Sequence, residues 1–144
     1  MLSARERLAA LYSDRLSGTP EIAVPVAAAN ERRSWFVYAI RVCGSAPRAL
    51  RDRLMAGLQE RGIASRPYFT AIHRQPYFKQ IRLSSNRPLP QTELASDSCL
   101  ALPFFPSMTE EQLDEVCAAV RKILGEARGA VIPAHEGEAA RAAV

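Results

Sequence analysis

The chain has 144 residues, 48% of them apolar and 24% charged, one domain's worth of sequence with enough apolar side chains for a single core. That balance excludes a disordered acidic tail, a collagen-like repeat and a multidomain machine. The net charge of +4 divides unevenly: residues 1–87 carry fourteen Arg and one Lys against six acids, a balance of +9, whereas residues 88–144 carry four basic groups against nine acids, a balance of −5. Such halves suit either an anionic ligand on one face or an arginine-rich solvated surface. No stretch approaches the ~18 uninterrupted apolar residues of a membrane span. Arg5, Glu6 and Arg7 stand where a secretory signal needs its apolar core. The expectation is a soluble, cytoplasmic protein.

In chain order, residues 5–16 predict a helix: Leu8, Leu11, Tyr12 and Leu16 recur at helical spacing, and Gly18 with Pro20 ends the run. No capping residue or lead-in chain precedes it. Residues 20–33 read as a Pro/Ala-rich connection. Residues 34–42 (SWFVYAIRV) predict a strand from their aromatic and β-branched content; it is apolar on both faces for most of its length, so it is expected in the middle of a sheet covered on both sides. Pro47 suits the first turn of a second helix, with Leu50, Leu54 and Leu58 on one stripe and a stop at Arg61-Gly62. A shorter, more polar strand follows over 63–69.

Residues 70–90 are loop-like, with a short turn of helix compatible with 75–82, and 91–97 read as another short helix. Cys99-Leu100-Ala101-Leu102 is a compact buried strand closed by Pro103-Phe104-Phe105-Pro106. The last helix carries the strongest signals. Thr109 and Gln112 form a capping box, Glu110, Glu111 and Asp114 complement its N-terminus, and Arg121 and Lys122 its C-terminus. Leu113, Val116, Cys117, Val120, Ile123 and Leu124 make one apolar stripe. After Gly125 the packing pattern ends, and 128–144 read as a flexible Ala/Glu-rich tail. The sum is a small α/β unit of about three strands with helices packed on the sheet.

The chemistry-bearing residues are few. Cys43, Cys99 and Cys117 lack the spacing of a zinc or redox motif and read as buried structural thiols. His73 and His135 are the two histidines, so metal catalysis has little support. The seven glycines are scattered, with no phosphate-binding loop, and no Ser sits in a Gly-x-Ser-x-Gly frame. The unusual segment is 62–79, GIASRPYFTAIHRQPYFK, which places Arg66, His73, Arg74 and Lys79 among Tyr68, Phe69, Tyr77 and Phe78 directly after a strand. Cationic donors with aromatic walls suit a phosphorylated or carboxylated ligand; the same aromatics equally suit anchoring of a long loop on the core.

That segment resembles the small-domain signature of the DegT/DnrJ/StrS family of pyridoxal-phosphate-dependent sugar aminotransferases, in which a strand ending in "GI" leads to a Tyr, then "P-L-H" and "Q-P-x-Y". SWFVYAIRV is similar to the family's "SWHLYVIRV", LMAGLQERGI to its "L…L-x-x-x-GI" helix, and LPQTELASDSCLALPFFPSMTEEQLDEVCAAVRKIL to "LP-x-AE-x-L…SLPL-x-P-x-LTEEQ-x-D-x-V…L". The likeness covers residues 5–125. Ala71, where the family often has Pro, and Pro67, inserted ahead of Tyr68, depart from the pattern.

The resemblance implies the small domain of a larger fold-type I enzyme. Its large domain would hold pyridoxal phosphate on a Schiff-base lysine and do most of the chemistry, moving an amino group from an amino-acid donor to a keto carbon of a nucleotide-linked sugar in polysaccharide, lipopolysaccharide or antibiotic-sugar biosynthesis. The complete enzyme would be a homodimer. On this reading residues 1–19 lead in from an absent large domain and 20–127 are the small domain. Neither Lys79 nor Lys122 is the cofactor lysine. The chain is then a fragment, truncated product or separate subunit, inert and without cofactor alone. Carried over by position, Arg66, Tyr68 and His73 are its substrate-binding residues.

Two alternatives stay open: a free-standing module that pairs with a large-domain chain, and a basic RNA-binding module using Trp35, Phe36 and Tyr38. No nucleic-acid or membrane partner is expected on the first reading. The first helix, deprived of its large-domain neighbour, is expected to expose an apolar patch and drive self-association.

Overall fold

The computed structural model of the protein describes residues 2–28, 30, 31, 33–80 and 88–130. Three long helices, α1 (Leu2–Leu16), α2 (Pro47–Glu60) and α5 (Glu110–Ala130), bury their apolar stripes with one face of a four-stranded antiparallel sheet. The strands are β1 (Ile22–Ala23), β2 (Tyr38–Val42), β3 (Arg66–Pro67) and β4 (Cys99–Leu102), in spatial order β1-β2-β4-β3. Between β3 and β4 lie a 3₁₀ turn (Ile72–Arg74) and the short helices α3 (Pro76–Gln80) and α4 (Pro90–Ser98).

Alternation along β2 decides which face is covered. Tyr38, Ile40 and Val42 are buried, Ala39 is half-buried and Arg41 is exposed. The register pairs Tyr38 with Leu102, Ile40 with Leu100 and Val42 with Ile22, so these six share the core face. Ala23, Ala39, Arg41, Cys99, Ala101 and Arg66 share the other face, which carries small side chains and two arginines. The expectation of a strand covered on both sides is therefore corrected. β2 begins at Tyr38, and the aromatic run before it lies outside the ladder: Phe36 is exposed, while Trp35 stacks on Tyr38 with centroids 5.9 Å apart. The remaining Tyr-Ala-Ile-Arg-Val alternates, as a strand with one buried face must.

β1 lies in the stretch expected as connection; Pro25 keeps it to two residues, yet it closes the β2 edge. The strand expected over 63–69 contracts to Arg66–Pro67, because proline withholds a ladder donor. The short helical turn expected over 75–82 is α3, Pro76–Gln80, with a 3₁₀ turn just ahead of it, and residues 81 and 82 lie outside the described residues.

α1 is not left uncovered. Leu8, Ala9, Tyr12 and Leu16 are buried within this chain, against α5 and the sheet. The Tyr12 ring stacks on Tyr38 at 4.7 Å and its hydroxyl donates to Pro103 O at 2.8 Å. Among the described residues, the apolar stripe expected to be left open on this helix is covered, because α5 packs against it, and Leu2 stays exposed at its start. The capping box forms: Gln112 N donates to Thr109 Oγ1 at 3.3 Å and Thr109 N to Gln112 Oε1 at 3.0 Å. α5 also continues past Gly125 to Ala130, further than the pattern suggested. Ala127 is buried, and Arg128 Nε donates to Glu21 Oε1 at 2.8 Å, which anchors the last turns to the start of β1. Residues 131–144, with His135, lie outside the described residues.

Candidate functional site

The segment from Gly62 to Phe78 runs along the β3 edge and then over α4. Arg66 stands opposite Ala101 on the uncovered sheet face, exposed and without an ion pair among the described residues. The amide of Tyr68 donates to Cys99 O at 3.3 Å, extending the contact with β4 past Pro67. At Phe69 the backbone turns into the left-handed region, φ 63°, a conformation that bulky side chains adopt at a cost. Ser96 of α4 holds that turn from both sides: its hydroxyl accepts from Ala71 N at 3.1 Å and donates to Phe69 O at 3.3 Å. The Phe69 ring lies 4.8 Å from the Tyr68 ring and stays 72% exposed.

Beyond Ala71 the 3₁₀ turn lays His73 and Arg74 on α4. His73 Nε2 lies 3.2 Å from Glu93 Oε1. Arg74 reaches Glu93 Oε2 at 3.2 Å and Asp97 Oδ1 at 2.6 Å. Glu93 and Asp97 stand one helical turn apart, so one arginine spans both. The Arg74 guanidinium holds the Asp97 carboxyl below its ordinary range, and Asp97 with Glu93 raises Arg74. Of the four residues read as a cluster for an anion, Arg74 and His73 are thus matched to carboxylates of this chain, and the Lys79 side chain is outside the described set. Arg66 keeps its charge toward solvent. Glu93, Ser96 and Asp97 escaped the sequence reading, although the i, i+4 carboxylates on a short helix after a basic segment were a visible signal.

Between the 68–75 segment and α4 lies an open groove of about 830 Å³, lined by Tyr68, Phe69, Ile72, Gln91, Ser96 and Cys99 among others. Its walls are largely apolar, with amide and hydroxyl groups at intervals, the pattern of a small-molecule cleft. Burial raises the Cys99 thiol above its ordinary value, which keeps it protonated and weakly nucleophilic at neutral pH. The three expected site residues are spread rather than convergent: Tyr68 lines the groove, Arg66 flanks it on the sheet face, and His73 is seated on α4. Among the described residues, no group of His, Cys, Asp and Glu is placed to hold a metal ion.

Pyridoxal phosphate attaches through a lysine set in a pocket. Lys122 is exposed on the outer side of α5, and among the described residues no lysine lines the groove. These residues do not fit covalent attachment of that cofactor. Among the described residues, no helix is long and apolar enough to cross a membrane.

Comparison with known proteins agrees with this domain-sized reading. The DegT/DnrJ/EryC1/StrS aminotransferase family profile matches residues 1–121. A DegT DnrJ EryC1 StrS aminotransferase from Brucella abortus is 30% identical, with a TM-score of 0.72 over 86% of this chain and 31% of its own. DesV of S. venezuelae, solved in complex with a ketimine intermediate, is 30% identical with a TM-score of 0.73, over 83% of this chain and 31% of its own. Helicobacter pylori PseC, an aminotransferase involved in the biosynthesis of pseudoaminic acid, is 18% identical and shares the fold at a TM-score of 0.77, over 87% of this chain and 33% of its own. The chain therefore spans about a third of the length of these solved relatives. A helix-backed antiparallel sheet and a family match running from the first residue through most of α5 lead to one assignment: this chain belongs to the DegT/DnrJ/EryC1/StrS aminotransferase family.

Proposed function

We propose that this chain is the smaller domain of a pyridoxal-phosphate-dependent aminotransferase that moves an amino group from an amino-acid donor to a keto carbon of a nucleotide-linked sugar, in the cytoplasm. The observation that carries the reading is the pairing of a full-domain match with partial coverage: over four-fifths of this chain superposes on about a third of each relative. The cofactor chemistry, which labilises bonds at the amino-bearing carbon, belongs to the other two-thirds of such an enzyme. This chain's own residues bind and enclose substrate. Arg66, exposed at the sheet edge, offers a fork of donors to phosphate oxygens. Tyr68 walls the groove, and His73, whose Nε2 is paired with Glu93, keeps its second ring nitrogen for a substrate hydrogen bond. Alone the chain is inert; in the complete enzyme it closes on a large domain and works as part of a homodimer.

The uncovered face of the sheet favours the related reading of a separate chain docking on a large-domain partner, since Ala23, Ala39 and Ala101 let another surface approach closely between Arg41 and Arg66. The RNA-binding reading loses one of its three rings: Tyr38 is fully buried against Tyr12 and offers no face for a base, whereas Phe36 is exposed.

The test is a graft. Residues 1–130 replace the matching third of DesV, and turnover of that enzyme's own substrate is measured. Retained turnover, lowered about tenfold or more in kcat/KM by Arg66→Ala or His73→Ala in the graft, is the expected result. A folded, cofactor-loaded graft that turns over normally with both residues removed would overturn the site assignment, and one with no turnover at all would overturn the functional reading.

A further inference from the structure

Phe69 is poorly explained by stability. A non-glycine residue at φ 63° carries a backbone cost, and a ring left 72% exposed regains little of it through burial. Glycine or asparagine would sit there more easily. The fold nevertheless fixes the conformation, with the Ser96 hydroxyl engaged at Phe69 O and Ala71 N together. Strain that the surroundings over-determine is a mark of a ligand clamp. The clamp stands on a groove of about 830 Å³, room for a nucleotide-sized molecule. Gln75, Gln91 and Thr92 line the same groove and supply donors and acceptors for the edge of a heterocycle. Arg66, three residues before Phe69, is the charge suited to a diphosphate.

We propose that Phe69 is a stacking platform for the base of a nucleoside diphosphate, and that Ser96 is the positioning residue that holds it in place. The inference rests on the reading of a nucleotide-linked substrate and assigns its base to the groove between the Phe69 turn and α4. Every base has a π-face that stacks on an aromatic ring, so the platform supplies affinity and leaves base identity to the glutamines. Phe69 and Ser96 hold no reacting atom; they set where the nucleotide end lies.

The experiment titrates the full 144-residue chain with uridine 5′-diphosphate and, separately, with inorganic diphosphate. Binding is followed by backbone amide shifts and by saturation transfer to the base protons. Wild type is expected to bind the nucleotide saturably, with shifts at Phe69, Ala71 and Ser96. Phe69→Ala raises the dissociation constant for the nucleotide about fivefold or more, the effect of losing one stacked ring, and leaves diphosphate unchanged. Phe69→Tyr restores binding. Ser96→Ala weakens nucleotide binding and removes hydrogen-exchange protection at the Ala71 amide, and Ser96→Thr rescues both. Phe69→Asn gives the opposite signs: a higher unfolding midpoint together with lost nucleotide binding. Absence of saturable nucleotide binding by wild type, or equal affinity in wild type and Phe69→Ala, overturns the platform. An unaltered graft activity alongside either result leaves the aminotransferase reading standing, so the two failures are told apart.

Discussion

Arg74 donates from Nη1 to Asp97 Oδ1 across 2.6 Å, and this bond ties the 3₁₀ turn of the candidate site to α4. Because the pair depresses the Asp97 carboxyl, its contribution to stability is present above the ordinary Asp range and is lost as pH falls through the lowered value. Asp97→Asn should cost less than about 1 kcal/mol, since the pair is solvent-screened. Denaturant midpoints of wild type and variant, measured from pH 7 down to pH 3, should converge at the acid end; a constant gap would contradict the assignment.

The opposite pH limit belongs to the core. Burial pushes the Cys117 thiol up to about 11, Tyr38 up to about 12, and Tyr12 higher still. Groups whose values rise on folding keep their contribution at low pH and lose it as pH climbs from the ordinary value through the raised one. Stability should therefore be flat through neutrality and fall steeply above about pH 9, where an unfolded thiol begins to ionise. A denaturation series read alongside tyrosinate absorbance checks this. At pH 8 a thiol reagent should modify half-exposed Cys43 readily and reach Cys117 only on unfolding.

Helix packing gives a steric prediction. A Cβ placed on Gly57 of α2 would meet the Ile123 side chain of α5 at 3.0 Å, so the glycine permits the close approach of these helices. Gly57→Leu should destabilise by about 1–3 kcal/mol or more through overpacking. Leu58→Ala, at a fully buried position in the same region, should cost about 2–5 kcal/mol by leaving a cavity. Val26→Ser, at an exposed position, should be near neutral. Chemical denaturation of the three variants ranks them.

The capping box makes a smaller claim. Thr109→Ala should cost about 1 kcal/mol by chemical denaturation and Gln112→Ala less, because the threonine hydroxyl satisfies an amide in the first turn of α5 and the glutamine returns a bond to the cap residue itself.

Most of the helical framework was legible in the chain because local signals agreed with packing: Thr109 and Gln112 marked the start of α5, and Leu50, Leu54 and Leu58 the buried side of α2. The strands were harder. β1 and β3 are two residues each, too short for alternation to register, and they exist because β2 and β4 offer them edges. The end of α5 was set by Glu21, distant in sequence, which holds Arg128. In the site, Arg66, Tyr68 and His73 are nameable from one segment, but Arg66 and Tyr68 are positioned by β4 and His73 by Glu93 of α4, twenty residues or more further on. The i, i+4 spacing of Glu93 and Asp97 hints at a cationic partner without naming Arg74, and the grip of Ser96 on the Phe69 turn has no local signature.

The central claim is that this chain supplies a substrate-binding domain and leaves the cofactor lysine to the rest of an aminotransferase. The most direct test incubates the purified chain with pyridoxal phosphate, reduces it with borohydride and maps the modified lysines by mass spectrometry. The account predicts no stoichiometric, site-specific modification. Full labelling of Lys79 or Lys122 alone would contradict it, because the chain would then build a cofactor site of its own.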